Sequence, residues 1–272
     1  MTYRTILVDL TADGPVEARL EVARSLASRF EAALVGVHVM PEPVVSLPIW
    51  EGGGGVYHLP EVIEAERKAN REARDRVRAA FDRACGADPK VTWREAEGDP
   101  VRLLAAAAHA SDLVVASRGG ALGTAEQLVT ATGVPVLVLP PEPPRDFGRV
   151  VLVAWKGSPE AARAVHDALP FLQHAAADRV VLCAVGEEAA AGTGLDDAAA
   201  MLERHGVPAQ PERVDQTDGR STGEILLAQA AAHGADLLVM GAYGHMRLRE
   251  LIFGGATRHI LCKAPLPVLL GG

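Results

Sequence analysis

Aromatic side chains are scarce in this chain, at 4% of 272 residues, and cysteine occurs only three times. Cys85, Cys183 and Cys262 are odd in number, far apart and set in helix-like or strand-like patterns. They read as small buried hydrophobes, which excludes a disulfide or cysteine–metal framework and leads us to expect a reducing, cytoplasmic setting. Excess positive charge is also missing: the formal net charge is −8 and no basic stripe interrupts it. A surface that tracks nucleic acid or anionic lipid needs the opposite balance, so neither is expected as a partner. No apolar run approaches membrane-spanning length, and Met1 to Arg4 lead directly into an apolar strand, so the chain reads as neither embedded nor exported. The catalytic signatures are absent as well. There is no His-Glu-x-x-His pair, Gly157-Ser158 lacks the nucleophile-elbow glycines, and no Walker lysine context occurs, so no assembled catalytic constellation or metal site is read.

What is present is apolar and repetitive. Residues of hydrophobic type make up 49% of the chain and are mainly Ala, Val and Leu, a composition suited to helices layered on a parallel sheet. The chain also repeats itself. Ile6-Leu-Val8 returns as Val151-Leu-Val153, and Leu34 to Val39 return as Val180 to Val185. Gly98-Asp99-Pro100, opening an Ala/Leu helix, returns as Gly219-Arg220-Ser221. Asp112-Leu-Val-Val115 returns as Asp236-Leu-Leu-Val239, and Val134 to Leu139 return as Leu266 to Leu270. Each half therefore reads as five short strands alternating with four helices. The right-handed crossover rule turns that into an open, parallel, doubly wound α/β sheet. The proline cluster Pro140 to Pro144 marks the linker, giving an N-terminal domain over 1–143 and a C-terminal domain over 147–272. The last strand of each half is apolar enough to need covering, so the two halves are expected to pair internally, and further association into a homodimer stays open.

One segment is specific to the C-terminal half. The buried strand Asp236 to Met240 exits through Gly241 and Gly244, and after an amphipathic stretch come Gly254, Gly255, Ala256 and Thr257. Glycines at a strand exit let backbone approach a ligand, and N–H groups gathered at a turn and helix start bind phosphate. The matching stretch in the N-terminal half, Ser117 to Thr124, is too short to hold loop, phosphate and helix start together, so that half reads as a degenerate partner. In exchange it carries an insertion from Pro41 to Pro60 with Trp50 and the run Gly52 to Gly55, read as a surface excursion, a lid or a partner-binding loop. The charged stretch Glu61 to Arg83 spaces its apolar residues like a single helix face with solvated charges around it.

On these residues the chain resembles a tandem universal stress protein, two UspA-type domains in succession, over essentially its whole length. The family's nucleotide signature is Gly-x2-Gly-x9-Gly followed by Ser or Thr, and Gly241, Gly244 and Gly254 match its glycines. The resemblance implies Rossmann-like sheets of strand order 3-2-1-4-5, with ligands at the switch point between the first and fourth strands. It also implies ATP or a related adenine nucleotide in the C-terminal half, with Mg²⁺ as the ion that would accompany it. Backbone donors would come from Gly241, Gly244, Gly254 and Gly255, with Ala256, Thr257, His245, Arg247 and Lys156 toward the phosphates. Val153, Ala154, Trp155, Val185 and Met240 would stand toward the base. Two positions depart from the family pattern. Gly255 stands where Ser or Thr is expected, and Lys156 stands where ATP-binding members carry an Asp that engages the adenosine. The function implied is that of a stress-response regulator. A nucleotide-free interaction module of the same fold and a slow ATPase are the alternatives.

Overall fold

A computed structural model describes residues 2–11, 16–42, 59–118, 124–174, 177–186, 194–215, 219–242 and 255–271. The first half runs β1 (Thr5–Asp9), α1 (Val16–Phe30), β2 (Ala33–Met40), α2 (Leu59–Cys85), β3 (Val91–Glu97), α3 (Pro100–Ala108), β4 (Leu113–Ser117), α4 (Thr124–Ala131) and β5 (Val136–Leu139). The second runs β6 (Val150–Ala154), α5 (Pro159–His174), β7 (Arg179–Val185), α6 (Leu195–Arg204), β8 (Ala209–Val214), α7 (Thr222–His233), β9 (Leu237–Gly241), α8 (Gly255–Lys263) and β10 (Val268–Gly271). The expected five strands and four helices per half are all there, alternating as the repeat requires. No described helix is long and apolar enough to cross a membrane.

Strand order is β3-β2-β1-β4-β5-β10-β9-β6-β7-β8. Within each half the order is 3-2-1-4-5 and every pairing is parallel. The two five-stranded sheets are fused into one, because β5 and β10 pair antiparallel with Val138 opposite Val268 and Val136 opposite Leu270. Both edge strands are buried along their length, so each half covers the apolar edge that the other exposes.

Alternation along the strands builds a core on each face of this sheet. Ile6, Val8, Val151 and Val153 pack with α1, α2, α5 and α6 on one face. Leu7, Leu152, Leu238 and Met240 pack with α3, α4, α7 and α8 on the other. The repeated polar residues have repeated jobs. Asp112 accepts backbone N–H bonds from Arg4 and Thr5, both at 2.8 Å, and Asp236 accepts them from Gly148 and Val150 at 2.9 and 3.1 Å. Each carboxylate thus ties the start of a first strand to the start of a fourth. Asp99 caps α3 by accepting from Arg102 N, with Pro100 in the first turn where its missing N–H costs nothing. Ser221 and Glu224 form a capping box at the start of α7. The bonds from Ser221 hold the Glu224 carboxyl below its ordinary range.

Aromatic rings, few in number, are concentrated at the junction. Tyr3, Phe30, Phe147 and Phe171 meet edge-on or stacked at centroid distances of 5.0 to 6.1 Å, bringing together both halves and the linker. Burial pushes the Tyr3 phenol well above its ordinary pKa, and its O–H donates to the Asp167 carbonyl on α5.

Candidate functional site

The C-terminal half opens a cleft of about 240 Å³ where β6 and β9, neighbours in the sheet, reach their carboxyl ends. This is the switch point of a doubly wound sheet, where the chain leaves adjacent strands toward opposite faces and a crevice must form. Its volume approaches that of small-ligand pockets, roughly 300 Å³ and upward.

One wall comes from the end of β6. Ala154, Trp155 and Lys156 line the cleft. Trp155 N donates to the Cys183 carbonyl at 2.8 Å, which extends the β6–β7 ladder by one residue and fixes where the chain turns away. Trp155 is half-buried, packing against the core as well as lining the cleft. Lys156 is exposed at the mouth. Ser158 then caps α5, accepting from Ala161 N at 3.3 Å, with Gly157 at φ +68° making the turn.

The floor is apolar. Val185 and Cys183 sit two apart on β7 and share a face, and Met240 of β9 lies on the far side of Ala154 from Cys183. Burial, with a smaller contribution from Glu212, pushes the Cys183 thiol up to about 12, so it stays protonated and acts as a neutral wall. Thr222 and Leu226, one turn apart on α7, close another side.

The facing wall is the start of α8. Gly255, Ala256 and Thr257 line the cleft, with Thr257 buried and Gly255 exposed. Among the described residues, a Cβ placed on Gly255 would meet nothing within 4 Å, which leaves space in front of this helix start. Gly241 is different. A Cβ there would stand 2.6 Å from Ala161 N and from Glu160 C, so this glycine is required by the close passage of the α5 backbone over β9. The first glycine of the motif therefore has a packing duty in addition to any ligand duty.

Of the residues singled out from sequence, the structure brings Ala154, Trp155, Lys156, Val185, Met240, Gly241, Gly255, Ala256 and Thr257 to this one cleft. Val153, expected toward the base, does not line it. It is fully buried in the core beneath α5, because consecutive strand residues face opposite sides and Ala154 takes the cleft side. Gly244, His245, Arg247 and Gly254 lie outside the described residues, as do Gly119 to Gly123 and most of the insertion after Pro41. Sequence reasoning missed Ser158, Ala161, Cys183, Thr222 and Leu226. The period-two rule applied backward from Val185 finds Cys183, and the Ser221 cap announces that Thr222 begins a helix.

The corresponding place in the N-terminal half carries a buried ion pair. Asp9, at the end of β1, is buried and ion-paired with Arg19 of α1 at 3.5 Å, with only 2% and 1% of the two side chains exposed. Thr11 donates to Asp9 through its N–H at 2.9 Å and through its hydroxyl, and Arg19 donates to the Thr11 carbonyl. The Leu10 carbonyl and His38 Nδ1 lie 2.7 Å apart. Leu10 N donates to the Val37 carbonyl at 2.8 Å, the counterpart of the Trp155 bond to Cys183, so backbone is conserved between the halves where side chains are not.

Comparison with known proteins agrees with this architecture. The model of the universal stress protein family matches the chain twice, over residues 2–140 and 148–270. A universal stress protein from Archaeoglobus fulgidus shares the fold at a TM-score of 0.71 and 16% identity, with 97% of each chain covered. A neighbour from Pseudomonas aeruginosa gives 0.58 at 14% identity, covering 98% of this chain and 92% of that one. A universal stress protein of Synechocystis is 41% identical over 46 residues, which span 17% of this chain and 16% of that protein. With the family matched in both halves and the duplicated fold in place, the chain belongs to the universal stress protein family.

Proposed function

We propose that this chain is a regulatory stress-response protein that binds an adenine nucleotide, ATP or a close relative, in its C-terminal half. The observation that carries the reading is the one cleft that sets Gly255, at the start of α8, across from Ala154 to Lys156, with space before Gly255 among the described residues. A helix start offers unpaired N–H groups and the positive end of its dipole, which suit a phosphate. The apolar floor of Val185, Cys183 and Met240 suits a base or sugar face. Lys156 supplies a cation at the mouth, and none of the described cleft-lining residues is acidic, which favours an anion. Bound Mg²⁺ would contribute charge neutralisation on the phosphates. Backbone amides of Gly255 and Ala256, the Thr257 hydroxyl and the Lys156 ammonium are this chain's own means of holding them. The output of binding is conformational, and the N-terminal half acts as a partner with no nucleotide of its own.

Calorimetric titration of ATP, ADP and AMP into the intact chain tests this. Saturable binding that weakens as phosphates are removed is expected. A flat titration at millimolar nucleotide, with no nucleotide released from freshly purified, denatured protein, would overturn it in favour of an interaction module. That second reading draws on Lys156, which cannot accept a hydrogen bond from a base amine.

A further inference from the structure

We propose that Arg118 of the N-terminal half is a positioning residue for the candidate nucleotide site of the C-terminal half, acting through α8. Arg118 follows β4 directly, the place where the first half would begin a phosphate loop of its own. Its backbone N–H donates to the Leu139 carbonyl at 2.9 Å, which anchors it beside β5 at the junction of the halves. Its guanidinium reaches across that junction and donates to the Cys262 carbonyl at 3.0 Å and to the Ala264 carbonyl at 3.2 Å. These carbonyls lie at the carboxyl end of α8, where the last turn has no intrahelical donors and the dipole favours a cation. The apolar stem borders the same small gap as Ile260, Leu261 and Leu266.

The other end of α8 is the phosphate wall, Gly255 to Thr257. The helix is nine residues long, so roughly 13 Å separates the end held by Arg118 from the end that faces the cleft. Between them α8 is gripped by α7. Gly223 leaves room for His259, and a Cβ there would stand 2.9 Å from the His259 Cβ. A short helix pinned in its middle and at one end moves as a rod, so loosening the arginine clasp tilts or frays the end that meets ligand. The N-terminal half thereby sets the geometry of the cleft in the C-terminal half. This inference rests on the nucleotide reading for its ligand but not for the coupling itself.

The test compares wild type with Arg118→Met, which keeps the apolar stem and removes both hydrogen bonds, and with Arg118→Lys, which restores one donor. Hydrogen exchange at the amides of Arg258 to Lys263 is expected to accelerate in Arg118→Met while amides of β6 and α5 keep their protection, with Arg118→Lys intermediate. Calorimetry is expected to show ATP weakened by about three- to tenfold and AMP by less, a gradation that general structural damage would not produce. Unchanged exchange in α8 would overturn the proposal, as would equal losses for ATP and AMP. If wild type binds none of these nucleotides, the functional reading fails, and the exchange arm still decides whether Arg118 holds α8.

Discussion

At the end of β1 the chain buries Asp9, Thr11 and Arg19 against one another, whereas at the corresponding end of β6 it sets Ala154, Trp155 and Lys156 around open space. The strands, the register and even the hydrogen bond that ends each first strand are the same. The crevice that a doubly wound sheet must form is thus a property of the backbone, and whether it is available to a ligand is decided by a few side chains. A buried ion pair stands at one, whereas Ala154 takes the place of Asp9 at the other, with Gly255 across the cleft from it. The buried pair can be broken from the Arg19 side. Arg19→Leu leaves Asp9 as a buried, uncompensated charge, and it should cost about 3–5 kcal/mol in chemical denaturation, whereas the double change Asp9→Ala, Arg19→Leu should recover much of that. A loss under about 1 kcal/mol for the single variant would show that the pair is well solvated rather than sealed in.

The second difference lies at the end of the fourth strands. Ser117 carries a side chain where Gly241 carries none, and its buried hydroxyl has no partner among the described residues. In the C-terminal half the α5 backbone occupies the space a Cβ would need. Gly241→Ser makes the two halves alike at this position. It should destabilise by about 2–3 kcal/mol, since backbone rather than a flexible side chain must move, and it should weaken any nucleotide binding by displacing Ser158 and Ala161 at the cleft wall. A thermal melt and a titration on the same variant check both. Wild-type stability with binding intact would mean that α5 has slack the close contact denies.

Gly255→Ser acts on the open cleft itself. A Cβ at this position meets none of the described residues, and its φ is not left-handed, so the change costs little there. A hydroxyl added at the helix start should tighten ATP by about fivefold, corresponding to roughly 1 kcal/mol for one hydrogen bond to phosphate. No gain for ATP, or an equal gain for AMP and ATP, would move the terminal phosphates away from this helix.

Most of the fold was legible because it is written twice. Short apolar runs in Ile6 to Val8 and Val151 to Val153, and aspartates placed before Leu113 and Leu237, report strands and their tethering without any tertiary information. The apolar edge strands announced that the halves would meet, and β5 and β10 do so. The site was legible where chain punctuation marks it, at Gly241, Gly255 and the turn after Ala154. It was not legible where distant elements converge, as Thr222 and Leu226 do from α7. Val153 was misplaced although strand alternation alone puts it opposite Ala154. Arg19 is harder. An arginine in an amphipathic helix ordinarily faces water, and only the packing of α1 over β1 turns it toward Asp9.

Cys183 distinguishes the halves most gently, since Val37 holds the same register against β1 that Cys183 holds against β6. With its thiol raised to about 12, Cys183 keeps its proton in the folded chain long after an unfolded thiol has lost it. The unfolded state then binds fewer protons, so stability is unaffected below the ordinary thiol range and falls as pH rises from about 9 toward 12. Cys183→Val, which copies the N-terminal half, should remove that slope and leave the variant ahead of wild type by less than about 1 kcal/mol near pH 9.5, with no gain from this source at pH 7. Denaturation curves across this range decide the matter. At pH 8 a thiol alkylating agent should modify exposed Cys262 first and leave Cys183 intact. Rapid labelling of Cys183 in the folded chain would mean that the cleft floor is wet and its thiol ionised, and an apolar seat for a base would then be lost from the C-terminal half.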